Sequence, residues 1–154
     1  MAEANDAAAL AARLQKWADG KATLKDVRGY SDEELYSIAR VGYFYFYQGR
    51  VNEARTLFQG LYAINPLDPY FAKALGVVEM AAGNAQGALA AYDVALRLAP
   101  QDSAAYVGKA EVKLSQGQRA QAVEDLRRAS QLVKADDEAL KAKISAMLSS
   151  LTRK

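Results

Sequence analysis

Residues of the same kind recur every 34 positions along most of this 154-residue chain. Five columns at one period are not a coincidence, and they predict a stack of similar structural units. The columns are Gly49, Gly83 and Gly117; Ala54, Ala88 and Ala122; Phe58, Tyr92 and Leu126; Gly42, Gly76 and Ala110; and Pro66 and Pro100, which Lys134 follows.

The columns have a common physical explanation in two helices that face each other. The small residue of the Gly42 column lets the first helix of a unit lie close to the second helix. The alanine of the Ala54 column provides the matching small surface, and the large residue of the Phe58 column fills the space beside that contact. Each unit is therefore expected to be a helical hairpin.

Turn signals divide the hairpins from one another. Glycine in the Gly49 column stands where the first helix must end, because glycine adopts positive φ at little cost. Pro66 and Pro100 close the second helix, because proline cannot continue the hydrogen-bond ladder. This is the spacing of the tetratricopeptide repeat. The sequence predicts an all-α solenoid with three helix-turn-helix repeats, at residues 35–68, 69–102 and 103–136.

Helix-start signals agree with this division. Ser31 followed by Glu34 is a capping-box pair that begins the first repeat. Asp68 before Pro69 predicts an N-cap followed by proline at the first helical position, where its missing N–H does no harm. Residues 137–154 begin with acidic residues and place apolar residues on one side, which predicts a C-terminal capping helix.

An N-terminal helical segment is predicted ahead of the repeats, in residues 1–34. Ala7, Leu10, Leu14 and Trp17 recur at helical spacing and form one apolar stripe. This stripe is too apolar to remain solvated, so it either packs on the first repeat or meets a copy of itself. We expect a homodimer with Leu10, Leu14 and Trp17 at the interface.

The stretch YFYFYQG at residues 43–49 places five aromatic residues in a row before a glycine. Aromatic residues favour strands, but nothing here alternates with polar residues and both flanks are helical in pattern. As part of the first repeat's helix, Tyr45 is expected to face the second helix beside Phe58, and Phe44 to face the N-terminal helix. The other three are expected to face the concave groove of the solenoid: Tyr43, Phe46 and Tyr47.

Equivalent positions in the other repeats extend this groove. Tyrosine suits a half-wet surface, because its body is apolar and its tip is polar. Together the side chains describe an apolar channel with polar edges, which favours a peptide ligand. The predicted groove residues are Tyr36, Ala39, Tyr43, Phe46, Tyr47, Tyr70, Lys73, Val77 and Met80, joined in the third repeat by Val107 and Glu111.

Composition excludes several classes of function. The chain has no cysteine and no histidine, so thiol nucleophiles, the usual catalytic triads and zinc sites are absent. We assign no catalytic residue, no metal and no cofactor. A net charge of +2 is too small to argue for nucleic acid, and no apolar run approaches the length of a membrane span. The N-terminus lacks the pattern of a signal peptide, so a cytoplasmic protein is expected.

A more specific resemblance extends over about residues 20–150. In their order and spacing, these motifs resemble the class II chaperones of bacterial type III secretion, which protect the translocator proteins. The matching residues are Thr23 and Leu24, Phe46 and Gly49, Arg50 with Ala54, Phe58 and Leu61, Asp68 to Tyr70, and Leu75 with Gly76.

This resemblance implies a bacterial cytoplasmic chaperone without ATPase activity, tied to virulence through its secretion system. Its concave groove would hold an extended segment of a membrane-inserting translocator, and its N-terminal helix would mediate dimerisation. By position, the resemblance assigns client binding to these groove residues: Tyr36, Tyr43, Phe46, Tyr47, Tyr70, Lys73, Val77 and Met80.

Two alternatives remain open on the sequence. One is a general tetratricopeptide adaptor that scaffolds a complex by gripping a linear motif. The other is a structural subunit whose groove is filled permanently by its own chain or by a neighbour, and occupation of the groove by residues 1–20 would favour it.

Overall fold

The computed structural model describes the backbone of residues 2–153 and the side chains of residues 6–153. Residues 1 and 154, the outermost positions of the two predicted end segments, lie outside this range. Within it all regular structure is α-helical, which confirms the predicted fold class. The described helices are α1 (Ala2–Ala18), α2 (Leu24–Arg28), α3 (Asp32–Tyr47), α4 (Val51–Ile64), α5 (Pro69–Ala81), α6 (Ala85–Leu98), α7 (Ser103–Ser115), α8 (Arg119–Leu132) and α9 (Glu138–Thr152).

Three helical hairpins form the body of the protein: α3 with α4, α5 with α6, and α7 with α8. Gly49, Gly83 and Gly117 lie in the three turns with φ of 77°, 78° and 74°, as the repeat predicts. Each hairpin packs on the next, and α9 packs on α8. The chain is therefore a stack in which neighbouring units complete one another's cores.

The predicted helix starts are confirmed. Ser31 and Glu34 form a reciprocal capping box at the start of α3, which begins at Asp32. Asp68 caps α5, and Pro69 is the first residue of that helix. The short helix α2, within the predicted N-terminal segment, also has a capping box, here between Thr23 and Asp26.

The hydrophobic core is divided into three clusters that join each hairpin to the element after it. Phe58 lies in the first cluster with Phe71 of the next hairpin. Tyr92 lies in the second with Ala105 of the next hairpin, and Leu126 shares the third with Ile144 of α9. The large residue of each repeat therefore lies where three helices meet.

Glycine on the first helix makes room for the aromatic ring on the second. A Cβ atom at Gly42 would lie 2.8 Å from the Phe58 ring, and one at Gly76 would lie 2.9 Å from the Tyr92 ring. In the third repeat the large residue is the smaller Leu126, and alanine replaces glycine at 110. The size of the ring therefore explains which repeats carry glycine in this column.

A buried carboxylate links the first hairpin to the second. Glu79 of α5 is 4% exposed and accepts hydrogen bonds from Arg55 (2.9 Å), Gln59 (3.0 Å) and Asn84 (2.8 Å). Burial alone would raise the pKa of this carboxyl, but the hydrogen bonds outweigh burial and hold its pKa below the usual value. The charge is thus retained and ties α4, α5 and the start of α6 together.

The N-terminal helix has little contact with the repeats. It packs mainly against α2, and side chains 6–20 are all exposed. Leu10, Leu14 and Trp17 are 42%, 43% and 51% exposed. Packing of the apolar stripe on the first repeat, one of the two predicted alternatives, is therefore not what the structure shows.

The fit between ring and glycine gives a direct test of the packing. We expect Gly76→Ala to lower the free energy of unfolding by about 1–3 kcal/mol, because the added methyl group would overlap the Tyr92 ring. Gly60→Ala is the matched control, since Gly60 lies inside α4 with open space around it. There alanine should stabilise the protein by about 0.5–1 kcal/mol. Urea unfolding of both variants measures the difference, and equal effects would contradict this packing.

Candidate concave binding site

A cavity of about 250 Å³ opens on the face that the first helices of the three hairpins present. Its walls come from helices as far apart in the chain as α3 and α9, so this face is concave. The lining residues are Tyr43, Lys73, Val77, Tyr92, Ala104, Val107, Gly108, Glu111, Leu140 and Lys143.

Part of the predicted groove is brought together in this cavity. Tyr43, Lys73 and Val77 line it, together with the expected third-repeat residues Val107 and Glu111. Its lining also includes side chains that sequence reasoning did not assign to the groove: Tyr92, Leu140 and Lys143. The sequence predicts a core role for the column that contains Tyr92. It predicts only a capping role for the helix that contains Leu140 and Lys143.

A band of aromatic rings adjoins the cavity. The ring of Tyr70 lies 5.3 Å from that of Tyr36 and 6.3 Å from that of Tyr43. Tyr43 stacks on Tyr47 at 6.2 Å, and Tyr47 meets Phe46 edge-on at 5.6 Å. Tyr47 is 81% exposed. The five rings form one continuous surface, which we call the aromatic band.

Two predicted groove residues belong neither to the cavity wall nor to the aromatic band. Ala39 is completely buried in the first core cluster, so the expectation that its side chain lines the groove is wrong. Ala39 faces the packed core and not the open face of the solenoid. Met80 is half-buried against the second core cluster and is not part of the cavity wall.

The expected register of the aromatic run is also corrected. Tyr43 makes the close ring contact with Phe58, at 4.9 Å, whereas Tyr45 packs against the same core cluster without a ring contact to Phe58. Tyr45 is half-buried beneath the Arg50 guanidinium, 4.2 Å from the ring centre. The chain reverses at this point, and the Arg50 N–H donates to the Tyr45 carbonyl, which brings the guanidinium over the ring.

Phe44 was expected to face the N-terminal helix, and this expectation is wrong. Its side chain is 58% exposed, because α1 packs mainly against α2. The same arrangement leaves the cavity free of the described side chains of the N-terminal helix, residues 6–18, all of which are exposed.

The charges around the cavity are paired. Lys73 Nζ lies 2.6 Å from Asp102, and Lys143 Nζ lies 2.6 Å from Glu111. Because both lysines of the cavity wall are engaged by carboxylates, neither is available to bind an acidic group without losing a partner. The cavity therefore suits an uncharged ligand with apolar side chains.

Groove side chains also hold the caps of the following repeats. Asp68 accepts the Tyr70 N–H (2.9 Å) as the N-cap of α5, and its other oxygen accepts the Tyr36 hydroxyl (2.7 Å). This hydrogen bond raises the pKa of Tyr36 to about 12, and partial burial adds to the effect. Asp102 caps α7 in the same way while binding Lys73.

Within the described part of the chain, no group of three acidic side chains is arranged to hold a metal ion. Across residues 2–153, none of the helices is both long enough and apolar enough to cross a membrane.

Residues 42–103 match the family model of the tetratricopeptide repeat. The fold is a tetratricopeptide solenoid. Solved structures of type III secretion chaperones share this fold. No curated protein sequence matches this chain significantly.

Three of these solved structures are informative. The translocator chaperone SycD of Yersinia enterocolitica is 23% identical with a TM-score of 0.80, over 84% of this chain and 98% of SycD. PcrH of Pseudomonas aeruginosa, in complex with the chaperone-binding region of PopD, is 25% identical with a TM-score of 0.75, over 80% of this chain and 95% of PcrH. SycD in an alternative dimer is 24% identical with a TM-score of 0.74, over 79% of this chain and 93% of SycD.

The Tyr36 hydrogen bond predicts a pH-dependent contribution to the stability of the solenoid. The folded pKa of about 12 is above the ordinary value of 10.0, so the contribution is complete below pH 10 and is lost as pH rises through about 12. Tyr36→Phe should lower the free energy of unfolding by about 1 kcal/mol at pH 8.

Denaturant unfolding of the wild type and Tyr36→Phe across the alkaline range measures this contribution. The two curves should converge between pH 10 and pH 12. Tyr30→Phe, which removes an exposed hydroxyl, is the control and should behave as the wild type does. A deficit of Tyr36→Phe that stayed constant with pH would rule out the hydrogen bond as its cause.

Proposed function

We propose that this protein is a non-enzymatic chaperone that holds an extended segment of a type III secretion translocator on its concave face. The observation that carries the proposal is the continuity of the aromatic band with a charge-neutral cavity on that face. The likeness in fold to PcrH bound to the chaperone-binding region of PopD supports it.

The shape of the site favours an extended segment over a folded ligand. The aromatic band continues from the cavity wall at Tyr43 to the exposed ring of Tyr47, so the combined surface extends beyond the cavity itself. A cavity of about 250 Å³ has room for one or two apolar side chains. Such side chains are what a membrane-inserting client must keep from water before it is exported. A chaperone for such a client would act in the bacterial cytoplasm.

A general tetratricopeptide adaptor is the second candidate. The fold alone fits an adaptor equally well, because function belongs to the site and not to the fold. An adaptor that read a charged motif or a chain terminus would need free charges on the concave face, whereas Lys73 and Lys143 are paired here. The neutral cavity therefore favours the chaperone.

The binding surface is tested with the natural client. The client is identified by co-purification from the source bacterium and mass spectrometry, and its bound segment is then made as a synthetic peptide. We expect a protein with membrane-spanning segments. Replacing both Phe46 and Tyr47 with alanine should weaken binding of the peptide at least about a hundredfold in calorimetric titration, because aromatic anchors contribute about 2 kcal/mol or more each.

Tyr30→Ala is the matched control for this titration. Tyr30 is a partly exposed tyrosine outside the cavity and the aromatic band, so its loss should leave binding unchanged. Thermal melts of each variant separate lost binding from lost folding. Full binding by the folded Phe46 and Tyr47 variant would show that the aromatic band is not the site, and a client without membrane-spanning segments would favour the adaptor.

The N-terminal helix is proposed to form a homodimer interface. Leu10, Leu14 and Trp17 lie on one stripe and are each more than two-fifths exposed, and little else in the described chain covers them. Burying such a stripe against its copy would remove most of this apolar surface from water. The existence of SycD dimers supports the proposal.

Replacing Leu10, Leu14 and Trp17 together with glutamine should convert the dimer to a monomer. Glutamine keeps a good helix propensity while it removes the apolar surface. Light scattering should show half the wild-type mass, and circular dichroism should show an unchanged helix content. Replacing the exposed Gln15 with alanine is the control. A variant with the wild-type mass would mean that this helix is not the interface.

A further inference from the structure

Tyr92 is a second-helix residue that reaches the concave face. It belongs to α6, yet it lines the cavity whose other walls come from α3, α5, α7 and α9. The ring passes between two glycines on the neighbouring first helices. A Cβ atom at Gly76 would lie 2.9 Å from the ring, and one at Gly108 would lie 2.5 Å from the Tyr92 hydroxyl oxygen. The absence of side chains at both positions leaves the ring its passage to the cavity.

Among the described residues, the Tyr92 hydroxyl makes no hydrogen bond, and its oxygen is not fully closed off from solvent. The residue is only 4% exposed, and it lines the cavity. Burial raises the pKa of Tyr92 well above its ordinary value, and the nearby Glu111 carboxylate raises it further. The hydroxyl therefore stays protonated and can donate a hydrogen bond at the floor of the cavity.

Core packing does not require this hydroxyl. Phe58 holds the equivalent place in the first repeat and fits against Gly42 in the same way, without an oxygen atom. Leu126 holds it in the third repeat. The hydroxyl is therefore free to bind water in the unliganded protein and to donate instead to an acceptor of a ligand that fills the cavity.

We propose that the Tyr92 hydroxyl is a specificity-determining group that donates a hydrogen bond to a main-chain carbonyl of the bound client segment. This inference rests on the proposed function and deepens it. An acidic side chain is disfavoured as the acceptor, because the lysines of the cavity wall, Lys73 and Lys143, are already engaged by carboxylates. An extended chain, by contrast, carries an uncharged carbonyl acceptor at every residue, and its apolar side chain can then fill the space beside Val77 and Val107.

The experiment uses a peptide probe that does not depend on knowing the client. Random linear peptides displayed on phage are selected on the wild-type protein, and the tightest one is synthesised. This peptide serves as the probe if replacement of Phe46 and Tyr47 in the protein with alanine weakens its binding. Such a loss shows that the peptide binds on the concave face. Its dissociation constant is then measured for the wild type, Tyr92→Phe and Tyr62→Phe. Tyr62 is a half-buried tyrosine that does not line this cavity.

Tyr92→Phe should raise the dissociation constant of the probe about five- to tenfold, the usual effect of losing one hydrogen bond. Its melting temperature should equal or exceed that of the wild type, and Tyr62→Phe should bind as the wild type does. An amide-to-ester scan of the probe then locates the acceptor, because an ester carbonyl is a weaker acceptor. At one position the ester should weaken binding to the wild type but not to Tyr92→Phe.

The contrary outcomes are distinct. An unchanged dissociation constant for Tyr92→Phe, or a lowered melting temperature, would overturn the role of the hydroxyl and leave the proposed function standing. The main-chain assignment would be overturned if no ester position distinguished the wild type from Tyr92→Phe and a side-chain replacement in the probe did. A wild-type protein that selects no peptide on its concave face would overturn the proposed function together with this inference.

Discussion

The contact between an aromatic ring and a glycine fixes the distance between the two helices of each of the first two hairpins. Phe58 and Tyr92 fit where a Cβ atom on the facing helix would collide with them. Close approach lets the ring reach the junction with the next hairpin, so the same residue packs both within and between units. The curvature of the stack, and with it the concave face, depends on this repeated fit.

Hydrogen bonds and an ion pair couple the concave face to this framework. Asp68 and Asp102 each cap the first helix of a hairpin and also bind a side chain of the hairpin before it, Tyr36 or Lys73. The residues that surround the cavity are thereby held in place before any ligand arrives, and pre-organisation lowers the entropy that binding must overcome. Asp102 also neutralises the Lys73 charge. The polar groups of the concave face therefore stabilise the fold rather than attract charged ligands.

Much of the fold could be predicted because a 34-residue period constrains every unit at once. The turns at Gly49, Gly83 and Gly117 and the caps at Ser31 and Asp68 are local signals that tertiary structure did not override. The register of YFYFY could not be settled in the same way. Aromatic side chains are long, and the choice between Tyr43 and Tyr45 as the neighbour of Phe58 depends on how the chain returns at Arg50.

The candidate site was predictable only where it is built from first helices. Tyr92 was missed because its column serves the core, and nothing in the sequence around it indicates that two glycines 32 residues apart open a passage for its hydroxyl. Leu140 and Lys143 reach the cavity because of where α9 packs, which depends on long-range geometry. The position of the N-terminal helix likewise depends on a partner surface that the sequence does not identify.

Contacts in this protein are almost all between helices that follow one another in the chain. Such a topology has a low contact order, and proteins of this kind fold fast because each step closes only a short loop. Each hairpin can form as soon as it leaves the ribosome and give the next one a surface on which to dock. A chain of this design can be complete within moments of its synthesis, which would suit the proposed role of a chaperone that must be folded before its client appears.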